Sequence, residues 1–168
     1  MTTRHTTVAT VIGAVTLTAT DGAITGVYFP HHWYAPSVDT LGEAVELGSD
    51  PVLDEAARQL VDYLAGNRDG FDLLTQATGD EFQHQVWALL DEIPYGQTTT
   101  YGAIAEKLGD KSLAQRVGQA VGHNPLSVMV PCHRVVGANG RLTGYAGGLG
   151  RKQFLLELER PEPVDALF

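Results

Sequence analysis

The period of the apolar residues changes along the chain, and that change limits the fold more than any other feature. Val8, Thr10 and Ile12, then Val15 and Leu17, alternate with smaller or polar residues, and Asp21-Gly22 precedes Ile24, Val27, Tyr28 and Phe29. Alternation with an Asp-Gly break predicts a β-hairpin. From Pro51 to Leu64 the residues Val52, Leu53, Ala56, Ala57, Leu60, Val61 and Leu64 fall at helical spacing, and Gly66-Asn67 ends the run. Phe71, Leu73 and Leu74 predict a short final strand, with Thr75 to Gly79 as a linker. After Asp80 the stripes become helical. The chain is therefore expected to be α/β, with a small N-terminal α/β domain over residues 1–79 and a helical C-terminal domain over 80–168.

Asp80 with Gln83 three residues later predicts a capping box, and Phe82, Val86, Leu89, Leu90 and Ile93 form the stripe of a helix that Pro94-Tyr95-Gly96 stops. Thr100 is placed to cap a second helix through Ile104, Ala105 and Leu108, closed by Gly109. Ser112 is placed to cap a third from Leu113 to Val121, closed by Gly122. Two short helices joined by a tight Gly-containing turn have the shape of a helix-turn-helix, with Gln115, Arg116 and Gln119 free for contact.

The formal charge of -9 argues against a polyanionic partner when taken whole, but it lies entirely in residues 1–81. Between Lys111 and Lys152 stand Lys111, Arg116, Arg134, Arg141, Arg151 and Lys152 with no acidic residue among them. That basic segment is expected to offer a phosphate-facing surface, which with the helix pair favours DNA. With one cysteine, Cys132, the chain can form no internal disulfide and no Cys-pair metal site. His31 and His32 lie in a loop with no carboxylate or thiol at ligand spacing, so no metal and no cofactor is expected. No apolar run approaches the roughly 20 residues that span a bilayer, and Met1 to His5 is polar, which leads us to expect a cytoplasmic chain acting away from membranes.

The chemistry concentrates around the thiol. The run Leu126 to Val130 leads into Pro131-Cys132-His133-Arg134 and delivers Cys132 at a strand terminus, where clefts form. A lone cysteine is commonly an inert buried residue. An adjacent histidine and a basic setting favour a reactive one, which needs a lowered pKa and a proton acceptor. Arg134 and the glycine-rich stretch from Gly137 to Gly148 would add positive charge and close backbone approach.

Pro131-Cys132-His133-Arg134-Val135, preceded by Asn124-Pro125 and followed by Gly144-Tyr145-Ala146-Gly147-Gly148, closely resembles the O6-alkylguanine-DNA alkyltransferases. Ile93-Pro94-Tyr95-Gly96 and Thr100-Tyr101-Gly102 extend the resemblance, which runs from about Phe82 to Glu159. It implies a ribonuclease-H-like N-terminal domain, a winged helix-turn-helix in the C-terminal one, and direct-reversal repair. Cys132 would accept the alkyl group from O6-alkylguanine, and by extension O4-alkylthymine, irreversibly and once. His133 would take the thiol proton through a water, Glu159 would orient the imidazole, Asn124 would fix the active-site turn, and Tyr101 would donate to guanine N3. Tyr145, Val135, Ala146 and the backbone around Cys132 would line the base pocket. The implied partner is double-stranded DNA carrying the lesion, bound by a monomer.

In one position the chain departs from the pattern. Nine residues before Asn124 the family has an arginine that fills the gap left by the flipped nucleotide, and here Gln115 stands there with Arg116 beside it. Neighbouring helical side chains point about 100° apart, so Arg116 cannot simply substitute. Two other functions fit parts of the pattern. A binding-only lesion sensor would lack the thiol, and a Cys-His hydrolase would turn over repeatedly.

Overall fold

In the computed structural model, which describes residues 2–160, β1 (Thr3–Thr10) and β2 (Gly13–Thr20) pair antiparallel from Thr3 opposite Thr20 to Thr10 opposite Gly13. β3 (Ala23–Tyr28) adds to β2 through the Asp21-Gly22 turn. The alternation thus encodes two consecutive hairpins, because Val11-Ile12 also turns. Short β4 (Glu43–Ala44) lies parallel to β1, giving a mixed sheet of order β3-β2-β1-β4. Residues 161–168, the end of the expected second domain, lie outside the described residues.

α1 (Pro51–Leu64) begins where predicted: Pro51 occupies the first turn and the Asp50 carboxylate accepts from the amides of Val52 and Leu53. Its buried face, Leu53, Ala56, Leu60 and Tyr63, packs on Val15, Leu17 and Ile24 of the sheet. The expected strand at Phe71 to Leu74 does not form. Phe71 stacks on Tyr63 with ring centroids 4.9 Å apart, and the chain reaches β3 only where the Ile24 amide donates to Leu74 O and the Gln76 amide donates to Ile24 O, both 2.9 Å. One parallel bridge is all that remains of it.

α2 (Glu81–Asp91) carries both halves of the Asp80/Gln83 capping box. α3 (Tyr101–Lys107) is capped by Thr100 Oγ1, which accepts from the Ala103 amide. α4 (Ala114–Gly122) corrects the expected Ser112 cap: Asp110 accepts from the Ser112 amide and winds Lys111–Leu113 into a 3-10 turn, so α4 starts later, with no side-chain cap. An Asp side chain readily accepts from the backbone two residues on, and the turn it closes takes Ser112 into its own interior, ahead of the helix it was expected to cap. α3 and α4 form the helix-turn-helix, and α2 is tied to α4 by Trp87 Nε1 donating to Ala120 O at 2.8 Å. β5 (Thr99–Thr100) pairs parallel with β6 (Val135–Val136), which sets the start of α3 beside the Cys132 turn. α5 (Leu149–Leu158) closes the described chain, and one apolar core runs from Leu60 and Tyr63 through Val86 and Leu90 to Leu155.

Candidate active site

The thiol is delivered by a clamped turn. Asn124 is buried and bonds both arms: its Nδ2 donates to Val130 O at 2.9 Å and its Oδ1 accepts from the Leu126 amide at 3.0 Å. Between them Val128 sits at φ 72°, a left-handed conformation that costs a β-branched residue about 1–3 kcal/mol and persists only where its surroundings force it. The turn is thus strained and held. Pro131 leads directly into a 3-10 turn at Cys132–Arg134.

Cys132 is buried, and burial pushes its thiol up from the ordinary range while Asn124, Lys152 and Ser127 pull the other way. The expectation of a low-pKa thiol is therefore corrected: the resting form is the protonated one, and deprotonation must be supplied at the moment of reaction. His133 is placed to supply it. The imidazole is fully buried, and its Nε2–H donates to Glu159 Oε2 at 2.7 Å, leaving Nδ1 as the acceptor. Nδ1, like Ser127 Oγ and the Tyr145 hydroxyl, is buried with no hydrogen-bond partner among the described residues. Burial holds His133 below the usual imidazole range in spite of Glu159, so at neutral pH it is an unprotonated base. Burial opposes the charge on Glu159, but bonds from His133 and Arg134 outweigh it and bring the carboxyl to about 2. Imidazole and carboxylate thus form an acceptor and its orienter, the arrangement that activates nucleophiles.

A cavity of about 210 Å³ opens against Tyr101 and Tyr145, the two phenols that feel the Cys132 thiol, and is lined also by Trp33, Gly118, Val121, Gly122, Gly144 and Ala146. The Tyr101 hydroxyl bonds Thr143 Oγ1 at 2.9 Å, and burial raises both tyrosines above the usual phenol range, keeping them protonated. Gly144 is required for the close approach of Trp33, whose ring would lie 2.5 Å from any Cβ there. Trp33 was not anticipated, since nothing local in the His31-His32-Trp33-Tyr34 loop says that it folds over a pocket. Val135, expected in the pocket wall, is instead fully buried in β6 behind it, where its carbonyl accepts from Lys152 Nζ at 2.6 Å.

α4 separates Gln115 from Arg116 by face. Gln115 is exposed one turn before Gly118 and two before Gly122, on the side that lines the cavity. Arg116 turns to the other side, its guanidinium 4.0 Å from the Phe82 ring in a hollow with Gln83, Gln119 and His123.

The basic segment is not a continuous phosphate-facing surface. Lys152 is fully buried, donating also to Thr143 O and Gly144 O, and burial lowers it to about 8. Arg134 is buried too, with Nε on Glu159 Oε1 at 2.7 Å and Nη1 on Ile93 O at 2.7 Å. Arg151 turns inward onto Ile12 O and Gly147 O. Lys111, Arg116 and Arg141 remain exposed. Local charge density had signalled six outward cations; three serve the protein interior. Among the described residues there is no cluster of three or more His, Cys, Asp or Glu able to hold a metal ion, and no helix long and apolar enough to cross a membrane.

Comparison with known proteins gives the family of the chain. Residues 81–161 match the family model described as "6-O-methylguanine DNA methyltransferase, DNA binding domain". A methylated-DNA–protein-cysteine methyltransferase of Mycolicibacterium paratuberculosis is 46% identical over 154 residues, covering 92% of this chain and 90% of the relative. The crystal structure of the Mycobacterium tuberculosis O6-methylguanine methyltransferase superposes with a TM-score of 0.84 at 40% identity over 98% of both chains. A second structure from that organism, in complex with DNA, gives 0.83 at 41% identity over 95% of this chain and 93% of that one. Sequence, fold and site together place this chain in the methylated-DNA–protein-cysteine methyltransferase family.

Proposed function

We propose that the protein repairs O6-alkylguanine in double-stranded DNA by transferring the alkyl group to Cys132, once per molecule and without a cofactor. The observation that carries this is a buried thiol beside a base pocket, next to a His133–Glu159 pair whose free nitrogen is the acceptor. His133 takes the thiol proton, through a water as the family resemblance implies. The sulfur then bonds the alkyl carbon as the carbon–O6 bond breaks. Tyr101 donates to N3 of the departing base, and the net result moves the thiol proton onto guanine and leaves a thioether on Cys132. Asn124 holds the turn, while Tyr145 and Ala146 bound the pocket. A thioether at a buried site has no hydrolytic exit, which makes the event single.

The target oxygen is hidden in a paired stack, so the nucleotide must be extruded. Gln115 stands on the cavity side of α4 and is the residue that enters the vacated stack, while Arg116 supports α4 against α2. Residues 80–168 carry the chemistry and the DNA contact, residues 1–79 support them, and the protein acts as a monomer. The test is intact-mass measurement after incubation with a duplex containing O6-methylguanine. Wild-type protein should gain one methylene equivalent stoichiometrically, and Cys132→Ser should gain nothing yet still bind, because a hydroxyl is similar in size and far less nucleophilic. Several turnovers per molecule would refute the mechanism.

A further inference from the structure

Glu159 has a partner that the proposed mechanism does not use. Tyr63, near the end of α1 and 96 residues away in sequence, donates its hydroxyl hydrogen to Glu159 Oε2, the same oxygen that accepts from His133. The phenol oxygen in turn accepts from Arg134 Nη2 at 3.2 Å, and that same nitrogen reaches Glu159 Oε2 at 3.1 Å. Tyr63 itself is held rigidly. It is 1% exposed, stacked on Phe71 and edge-on to Tyr95 with centroids 6.0 Å apart. A side chain from the N-terminal α/β unit is thereby bonded directly to the carboxylate that orients the imidazole.

We propose that Tyr63 is a positioning residue of the alkyl-transfer reaction, fixing the Glu159 carboxylate and limiting its pull on His133. This rests on the function proposed above. A carboxylate that accepts one more hydrogen bond is a weaker base, so it stabilises imidazolium less. With Tyr63 donating, His133 stays neutral and able to accept; without it, Glu159 is both freer to rotate and more strongly basic. The other groups facing the pair are Arg134, on both Glu159 oxygens, Tyr95, whose ring lies 5.6 Å from the Arg134 guanidinium, and Lys152 on α5, whose charge opposes protonation of His133. Removing only the Tyr63 hydroxyl takes one bond from Arg134, which keeps its contacts to both Glu159 oxygens and to Ile93 O, and touches neither Tyr95 nor Lys152.

The test is Tyr63→Phe in the full chain, which keeps the ring and its stacking. The rate of Cys132 methylation by lesion-containing duplex is measured against pH, and the His133 ring is titrated by NMR. The transfer rate at neutral pH should fall about ten-fold, the lower end of what losing the hydrogen-bond support of a metal-bound histidine costs, taken here as the scale for a histidine held by a carboxylate. The acid limb of the rate profile and the His133 titration should both move to higher pH. Phe71→Leu serves as the comparison, since it loosens the packing around Tyr63 and spares the hydroxyl. If Tyr63→Phe leaves the His133 titration and the acid limb where they are, or matches Phe71→Leu in both, the hydroxyl has only a structural role and the inference is wrong. Absence of a methyl adduct on wild-type Cys132 would instead sink the proposed function, while the His133 titration still decides the role of Tyr63.

Discussion

Replacing Arg134 by methionine separates two roles that the sequence could not distinguish. Arg134 makes a double contact with Glu159, at 2.7 and 3.1 Å, and closes the buried end of Ile93 through its carbonyl. Methionine retains much of the apolar stem but leaves Glu159 charged, 1% exposed, and short of its cation. Breaking a buried ion pair from one side costs about 3–5 kcal/mol, within which the stranded carbonyl accounts for about 1–3 kcal/mol. At about 2–4 °C per kcal/mol for a chain of this size, the melting temperature should fall by about 6–20 °C. Thermal and urea unfolding followed by circular dichroism would measure it. In parallel, the dependence of DNA affinity on salt should be unchanged, whereas loss of one phosphate contact would reduce the log–log slope by about 0.9. A stability loss under about 1 kcal/mol together with a reduced salt slope would show that Arg134 faces DNA and that the internal ion pair has been misjudged.

Lys152→Met removes the cation that pins the carbonyls behind the pocket and offsets the burial of Cys132, so methylation of the thiol by methyl iodide should require higher pH than in wild type. An unchanged pH profile would show that Lys152 acts on packing alone. Gln115→Arg should accelerate repair of duplex by favouring the extruded nucleotide and should alter the rate with free O6-benzylguanine little; Gln115→Ala should slow duplex repair only. Equal effects on both substrates would place Gln115 in the active site or the fold, since extrusion, on the order of a few kcal/mol, is what the free base avoids. Glu159, lowered in the folded state to about 2 from an ordinary 4.5, contributes stability that is present above its unfolded pKa and lost as pH falls from there toward about 2. Urea unfolding between about pH 5 and about pH 3 should therefore show a loss of roughly 2 kcal/mol, about half of a total on the order of 3 kcal/mol, absent from Glu159→Gln.

The elements that rest on neighbours in sequence were legible. α1 starts at Pro51 as its spacing predicts, Asp80 and Gln83 cap α2, and the run from Asn124 to His133 holds its own turn, because each depends on bonds spanning six residues or fewer. The thiol and its adjacent base follow from that continuity. Ser112 does not cap α4 because Asp110 accepts from the Ser112 amide and closes Lys111–Leu113 into a 3-10 turn, which places Ser112 inside that turn, a choice between two local options that residue type alone did not settle.

What tertiary structure alone decided is where the charges go. Lys152, Leu155 and Glu159 share one buried face of α5, so the stripe that fixes this helix carries a cation and an anion and does not read as apolar. Arg134 and Lys152 counted as surface charge in the sequence and prove to be internal, one neutralising Glu159 and the other gathering backbone carbonyls. Tyr63 had no signal at all, since its partners are 71 and 96 residues away and meet it only when α1 docks beside α5. Caps and periodicity are settled by bonds within a turn or two of the chain. A buried ion, by contrast, is stable only where separate elements converge to supply every bond that water would have made, and that convergence exists only in the packed fold.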